Sequence, residues 1–269
     1  MSNCLNCQQP LAGPYCHHCG QVANTRRFTF GHLASEVLAS LTNVERGLWH
    51  TIRDLTLRPA TALRGYLAGQ RVVYYPWLRY LLLMVGLATL VTLSTKGFQD
   101  LYQAAFKDNG QKLAQTEVAV ANRITTQKAT EKFQAFLLGN YNLVYLLFLP
   151  FAALSFHWLF RRRGLYLAEH LVVQAYTFGH YSLFHAVLFV VLKLLEGQAW
   201  YGAAFWALFG LSALFQLVYN LVVYVGLFPV RPWAAAARGL VAFGLAYLIY
   251  SLMIAFAQGL YIGFVLTRG

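Results

Sequence analysis

The sequence predicts an all-α polytopic membrane bundle of about five transmembrane helices, with a small amino-terminal zinc ribbon and amphipathic helices at the cytosolic interface. Three observations predict it. Only 11% of the 269 residues are charged and 58% are hydrophobic, with a mean hydropathy of +0.49, whereas soluble domains carry about 25% charged residues. Five stretches are long and apolar enough for a helix to cross a hydrocarbon layer. All four cysteines sit in the first nineteen residues, as Cys4-x-x-Cys7 and Cys16-x-x-Cys19.

Residues 1–24 read as the ribbon. A C-x-x-C turn presents two thiolates at one edge of a tetrahedron, and two such turns complete the four soft ligands that zinc prefers. Gly13-Pro14 suits the turn between the arms and Gly20 the second knuckle; the first has Gln8 where a glycine fits better. Paired disulfides or a redox dithiol are the alternatives. They are disfavoured because no apolar signal core opens the chain, which keeps the amino terminus cytosolic and its thiols reduced. His17 and His18 lie inside the second knuckle, so Cys4, Cys7, Cys16 and Cys19 are the expected ligands of a structural zinc. Four thiolates leave no open coordination position, which argues against catalysis at the metal.

Residues 25–75 follow a helical period. Val44, Leu48, Ile52 and Leu55 share about 80° of one face, while Arg46 and Arg53 point nearly opposite. Leu33, Val37, Leu38 and Leu41 suggest a shorter helix before it. Pro59 and Gly69 bracket another, in the positions helices favour for those residues. Arg46, Arg53, Arg58, Arg64 and Arg71 are expected at the membrane surface, each gaining about 1 kcal/mol from anionic headgroups. Tyr74, Tyr75 and Trp77 read as an aromatic girdle where the first span enters lipid.

Residues 76–269 form the bundle, with spans at Trp77 to Thr95, Tyr141 to Phe160, Leu171 to Leu192, Ala199 to Leu227 and Leu240 to Leu266. Residues 96–140 form a polar outer loop, partly helical. The last span holds 14 Leu, Ile, Val or Phe and no charge, so its insertion is favoured by several kcal/mol. With the amino terminus inside, the inner side carries 13 basic and 4 acidic residues and the outer side 8 and 5. Arg161, Arg162 and Arg163, directly after the second span, mark the inner face most strongly. Five spans then put the carboxyl terminus outside.

The amino-terminal run Cys4-Leu-Asn-Cys7 to Cys16-His-His-Cys19-Gly20 looks like a short zinc ribbon. The stretch Arg58-Pro59-Ala-Thr-Ala-Leu63-Arg64-Gly-Tyr66-Leu67-Ala-Gly69-Gln-Arg71, running into Tyr75-Pro76, resembles an uncharacterised bacterial membrane-protein family carried only as a domain of unknown function. That resemblance covers mainly residues 1–85. It implies a zinc ribbon on a polytopic inner-membrane domain and no established activity.

Three spans carry polar stripes. His170, Gln174, Thr177, Tyr181 and His185 fall within about 80° of one face of the third span, with His180 off that stripe. Ser212, Gln216, Asn220 and Tyr224 recur on the fourth, and Tyr247, Ser251, Gln258 and Tyr261 align on the fifth. Interhelical hydrogen bonding accounts for such stripes. A hydrated path or pocket is the functional alternative, with His170, Gln174, Tyr181, His185, Gln216 and Asn220 as its candidate lining. No acidic residue lies at mid-membrane depth to couple an ion.

No H-E-x-x-H, G-x-S-x-G, phosphate-binding glycine loop or pair of carboxylates beside the spans points to an enzyme. Nucleic acid is set aside because the arginines are spread along amphipathic helices that end at the bilayer. The sequence therefore favours a non-enzymatic scaffold or regulatory module whose ribbon recruits a cytosolic protein, as a monomer or homo-oligomer. A small-solute transporter or channel subunit is the alternative, and a lipid-acting intramembrane enzyme a weaker one.

Overall fold

A computed structural model of the chain describes residues 3–23, 47–94, 126, 128–134, 136–137, 141–228 and 231–268. Arg46, Val44 and the short helix expected around Leu33 to Leu41 lie outside them, as does most of the 96–140 loop. The described residues form an all-helical bundle without strands. Among the described residues five helices are long and apolar enough to cross a membrane: Trp77–Ser94, Val144–Arg163, Leu167–Leu194, Tyr201–Leu227 and Pro232–Thr267.

The bundle begins with two short amphipathic helices. α1 (Leu48–Leu57) starts after Gly47, whose φ of 99° lies in the left-handed region and whose Cα sits against the backbone of Val73 and Tyr74. It buries Thr51, Asp54 and Leu55 and leaves Arg53 exposed. α2 (Pro59–Leu67) has proline at its first position, where the missing N–H is no loss. Gly69, at φ 108°, turns the chain just beyond its end.

α3 (Trp77–Ser94) is the first span. The second is broken into α4 (Tyr141–Leu146) and α5 (Phe148–Phe160). Pro150 explains the break: it has no N–H to offer the Leu146 carbonyl, and its ring crowds that oxygen. The Leu147 N–H bonds instead to the Val144 carbonyl at 3.1 Å, one residue tighter than an α-helix. A 3₁₀ turn, Arg161–Arg163, and Gly164 at φ 90° close this segment.

α6 (Leu167–Leu194) starts four residues before the charge-free stretch. The Glu169 carboxylate accepts the Tyr166 backbone N–H at 2.8 Å, and an acid in the first turn also suits the positive end of the helix dipole. α7 spans Tyr201–Leu227. α8 (Pro232–Arg268) likewise starts before the expected Leu240. Proline at its head and the Ala234-Ala-Ala-Ala237 run favour helix there. At roughly 55 Å it exceeds the hydrocarbon thickness, which a tilt accommodates.

α6 is the hub, packing on α3, α5, α7 and α1. It buries 19 of its 28 residues, whereas α8 is the least buried of the five spans, so α8 is the peripheral helix. Its Leu248, Leu252, Phe256, Leu260 and Phe264 form an exposed i, i+4 ridge, suited to lipid. Among the described residues of the 126–137 stretch all are helical, and Phe133 touches Tyr261 with ring centroids 5.7 Å apart.

The aromatic girdle is composed differently from expectation. Tyr74, Tyr75 and Trp77 are only 8%, 6% and 6% exposed, because the turn before α3 folds under α1 and aims them into the core. The other five tryptophans are exposed: Trp49, Trp158 and Trp233 toward one end of the bundle, Trp200 and Trp206 toward the other. Those amphipathic rings sit where an interface needs them.

α2 rests on α7 through Gly226. A Cβ at that position would come 2.3 Å from the Ala60 Cβ, a short and immobile atom, whereas a Cβ at Gly244 meets nothing within 4 Å. Gly226→Ala should therefore lower stability by roughly 1–3 kcal/mol through overpacking. Gly244→Ala should leave it unchanged or slightly raised. Thermal melts of the two variants in one detergent check the contrast, and equal melts would remove the close α2–α7 contact from the account.

Candidate metal centre

The ribbon consists of two matching knuckles. In the first, the Cys4 N–H donates to the Gln9 carbonyl and the Gln8 N–H to the Cys4 carbonyl, both at 2.8 Å. In the second, the Cys16 N–H donates to Gln21 and the Gly20 N–H to Cys16, again at 2.8 Å. One antiparallel bridge closes each hairpin, Asn3 to Pro10 and Tyr15 to Val22. Gly20 has φ 75° and Gln8, its counterpart, φ 63°. The missing glycine is thus met by a glutamine holding the same left-handed turn, at a conformational cost of about 1–2 kcal/mol.

This folding gathers the four sulfurs. Cys4 Sγ lies 3.6 Å from Cys19 Sγ and Cys7 Sγ 3.5 Å from Cys16 Sγ, with all four within 4.8 Å of one another. Sulfurs bound tetrahedrally at about 2.3 Å would stand about 3.8 Å apart, so the spacing fits one ion. No disulfide joins them. Cys4 and Cys16 are buried, and Cys7 and Cys19 half-buried.

The local field is uneven. The Cys7 amide, with help from Asn6 and the neighbouring thiols, holds the Cys4 thiol below its usual range. The Cys19 amide, with that of His18, brings Cys16 down to about 6. The Gln9 amide favours the Cys7 thiolate, but burial and the other three sulfurs outweigh it and push Cys7 up to about 12. Four neighbouring thiolates repel one another, and a cation among them relieves that repulsion.

The ribbon is fastened to the bundle by a residue that the sequence did not single out. Gln21, only 3% exposed, donates through Nε2 to the Gly69 carbonyl at 2.7 Å. Its Oε1 accepts the Arg71 backbone N–H at 3.1 Å. Two hydrogen bonds from one amide fix both position and orientation. Because the Gln21 carbonyl also accepts the Cys16 N–H, the clasp is continuous with the second knuckle.

The turn that receives Gln21 is braced from beneath. The Asp54 carboxylate, 2% exposed, accepts from Arg58 Nε and Nη2 at 3.1 and 3.0 Å and from the Tyr74 hydroxyl at 3.2 Å. His50 Nε2 lies 3.3 Å away. Burial, reinforced by the Asp54 charge, pushes Tyr74 up to about 12, so its hydroxyl stays a donor. The Tyr75 N–H donates to Thr51 Oγ1 at 2.7 Å, and its carbonyl accepts the Tyr176 hydroxyl of α6 at 2.6 Å.

Of the arginines expected at the interface, Arg53, Arg64, Arg161, Arg162 and Arg163 are exposed, Arg58 is largely so while paired with Asp54, and Arg71 is half-buried. A cavity of about 300 Å³ is lined by Arg64, Ala68, Arg163, Gly164 and Glu169 among others. The ribbon-bearing turn, the 3₁₀ arginines and the start of α6 therefore share one end of the bundle.

The six candidate lining residues are buried, His170 0%, Gln174 3%, Tyr181 5%, His185 2%, Gln216 2% and Asn220 3% exposed, whereas on α8 Ser251 is exposed and Tyr247, Gln258 and Tyr261 are half-buried. The six do not converge on one site. His170 Nδ1 and Gln174 Nε2 meet the Tyr224 hydroxyl at 3.0 and 3.3 Å, and the His157 ring lies 5.4 Å from that of His170. Gln216 Oε1 accepts from Tyr145 at 2.5 Å and from Tyr247 at 3.2 Å, and the two hydroxyls also touch. Asn220 donates to the Gln216 backbone carbonyl at 3.0 Å. Tyr181 packs near Tyr145, and His185 between Tyr181 and Phe189.

His180, off the expected stripe, reaches three other helices. Its Nδ1 lies 3.0 Å from the Tyr80 hydroxyl of α3 and its Nε2 3.4 Å from Thr56 Oγ1 of α1. Its ring stacks on Tyr219 of α7, whose hydroxyl donates to the Leu55 carbonyl at 2.8 Å. Thr56 already donates to the Ile52 carbonyl at 2.7 Å. The consistent arrangement has Nε2–H donating to Thr56 and Nδ1 accepting from Tyr80.

Fold and site together define a multipass helical membrane protein with an amino-terminal four-cysteine cluster placed to hold a metal ion. A family model described as "Protein of unknown function (DUF3667)" matches residues 45–89, the stretch containing α1, α2, the clasped turn and most of α3. No curated protein and no solved structure matches the chain.

Gln8→Gly should relieve the strained turn and stabilise the metal-loaded ribbon by about 1 kcal/mol. Competition with a chromophoric chelator checks this as a several-fold slower or weaker loss of metal. Faster loss would mean that the Gln8 side chain contributes more than its backbone costs.

Proposed function

We propose that this chain is a non-enzymatic membrane scaffold. In this reading the four cysteines hold a structural zinc, and the ribbon recruits a cytosolic protein to the inner face of a bacterial cytoplasmic membrane. The carrying observation is the Gln21 clasp, which joins a sulfur-lined metal centre rigidly to the turn before the first span. A ribbon fixed this way presents its outer face at a constant height and angle.

That face suits protein contact. Leu5, Tyr15 and Val22 are 43%, 64% and 47% exposed on a module of some twenty residues. Three exposed apolar side chains on so small a module favour a binding role. The four-sulfur site leaves no position for a substrate at the metal. Arg53, Arg58, Arg64, Arg71 and Arg161 to Arg163 favour an anionic leaflet on the ribbon side, which by the positive-inside rule is the cytosol. The carboxyl terminus then lies outside. The transport alternative loses support where His170, His180 and Gln216 spend their hydrogen bonds on tyrosines of adjacent helices.

Photocrosslinking in cells tests the proposal, with the reactive group in place of Leu5 in the full chain. A discrete protein adduct is expected, lost on Cys4→Ser with Cys16→Ser while the spans remain inserted. Gln21→Ala should keep the metal but weaken the adduct several-fold, since it removes two hydrogen bonds worth about 1 kcal/mol each. An undiminished adduct from the metal-free double variant would overturn the recruitment role.

A further inference from the structure

Where the second span ends, a cavity of about 250 Å³ opens between α5 and α8, walled by Trp158, Leu159, Arg161, Arg162, Arg163 and Arg238. Four arginines from two spans meet there and no carboxylate lines the space. Among the described residues none of the four has an ion-pair partner. Their charges therefore concentrate a positive potential in a partly sheltered recess.

The residue type narrows the ligand. Among the described residues ten of the eleven arginines fall in the segments at the ribbon end, while the three lysines, Lys128, Lys132 and Lys193, do not. Topology requires only positive charge, which lysine supplies equally well. Arginine adds a planar fork that bonds two oxygens of one phosphate. The place narrows it further. Trp158 is 59% exposed and Trp233, at the head of α8, 68%, which puts the recess at headgroup level. Arg238 lies on the second turn of α8, half-buried, and Leu159 supplies an apolar wall.

We infer that the recess between α5 and α8 is a binding site for a phosphate-bearing anion, the terminal phosphate of an anionic phospholipid or free phosphate. Occupancy would tie the peripheral α8 to the 3₁₀ turn by joining Arg238 to Arg161 through Arg163. The site is separate from the metal centre and stands whether or not the ribbon recruits a partner.

Binding to the full chain in detergent tests this, with short-chain phosphatidic acid, short-chain phosphatidylcholine and inorganic phosphate as the probes. Saturable binding of phosphatidic acid is expected, weakened about tenfold or more by Arg238→Gln and unchanged by Lys193→Gln, which removes an exposed charge near the end of α6, far from the recess. Phosphatidylcholine should not compete. The same pattern with inorganic phosphate at millimolar levels, and none with the lipid, would identify free phosphate as the occupant. If Arg238→Gln melts below the parent protein, Arg238→Lys replaces it, keeping the charge and losing the fork; its binding should fall several-fold. Binding that fails to saturate, or that Lys193→Gln weakens as much as the Arg238 variants, would overturn the site and leave a diffuse surface attraction.

Discussion

Polar groups carried into hydrocarbon must be satisfied within the chain, and this constraint shapes the bundle around α6. Two of its three histidines and its glutamine reach tyrosines on neighbouring helices: His170 and Gln174 to Tyr224 on α7, His180 to Tyr80 on α3. A tyrosine brings a large apolar ring and one polar tip, so it fills space between helices and still meets a partner. Each such bond is worth about 0.6 kcal/mol in membrane bundles. Their value here is orientation, because they specify which face of α6 meets which neighbour.

The same logic extends past the membrane boundary. Tyr219 reaches the Leu55 carbonyl at the end of α1 and Tyr176 reaches the Tyr75 carbonyl in the turn before α3. Both tie the amphipathic segment to the spans. That turn in turn receives Gln21 from the ribbon. Hydrogen bonds and the short 69–75 backbone between them therefore connect α6, through Tyr75 and the 69–71 turn, to the knuckle carrying Cys16 and Cys19. The matched segment 45–89 is its middle. A metal module attached by a loose linker would need none of these contacts.

Local features were legible in the sequence and long-range pairings were not. The knuckles could be read because their chemistry lies within four residues of each other, and the spans because charge-free length is a property of a single segment. The starts of α6 and α8 lay earlier than the charge-free stretches, since Glu169 caps one helix and Arg238 sits inside the other. Tyr74, Tyr75 and Trp77 looked like a girdle because position along a chain does not say which way a turn folds. The α6 stripe was a true face at 100° per residue, yet neighbours at different depths divide it. His180, off the stripe, joins α1, α3 and α7. Gln21 gave no local signal, because its partners lie 48 and 50 residues away.

The central claim is that a sulfur-bound ion shapes the module clasped by Gln21. X-ray absorption at the zinc edge of the full-length protein, purified without added metal or chelator, addresses it most directly. The account expects about one zinc per chain with four sulfur neighbours at about 2.3 Å and no nitrogen or oxygen in the inner sphere. A metal-free protein with intact knuckles, or an ion bound partly by His17 or His18, would contradict it.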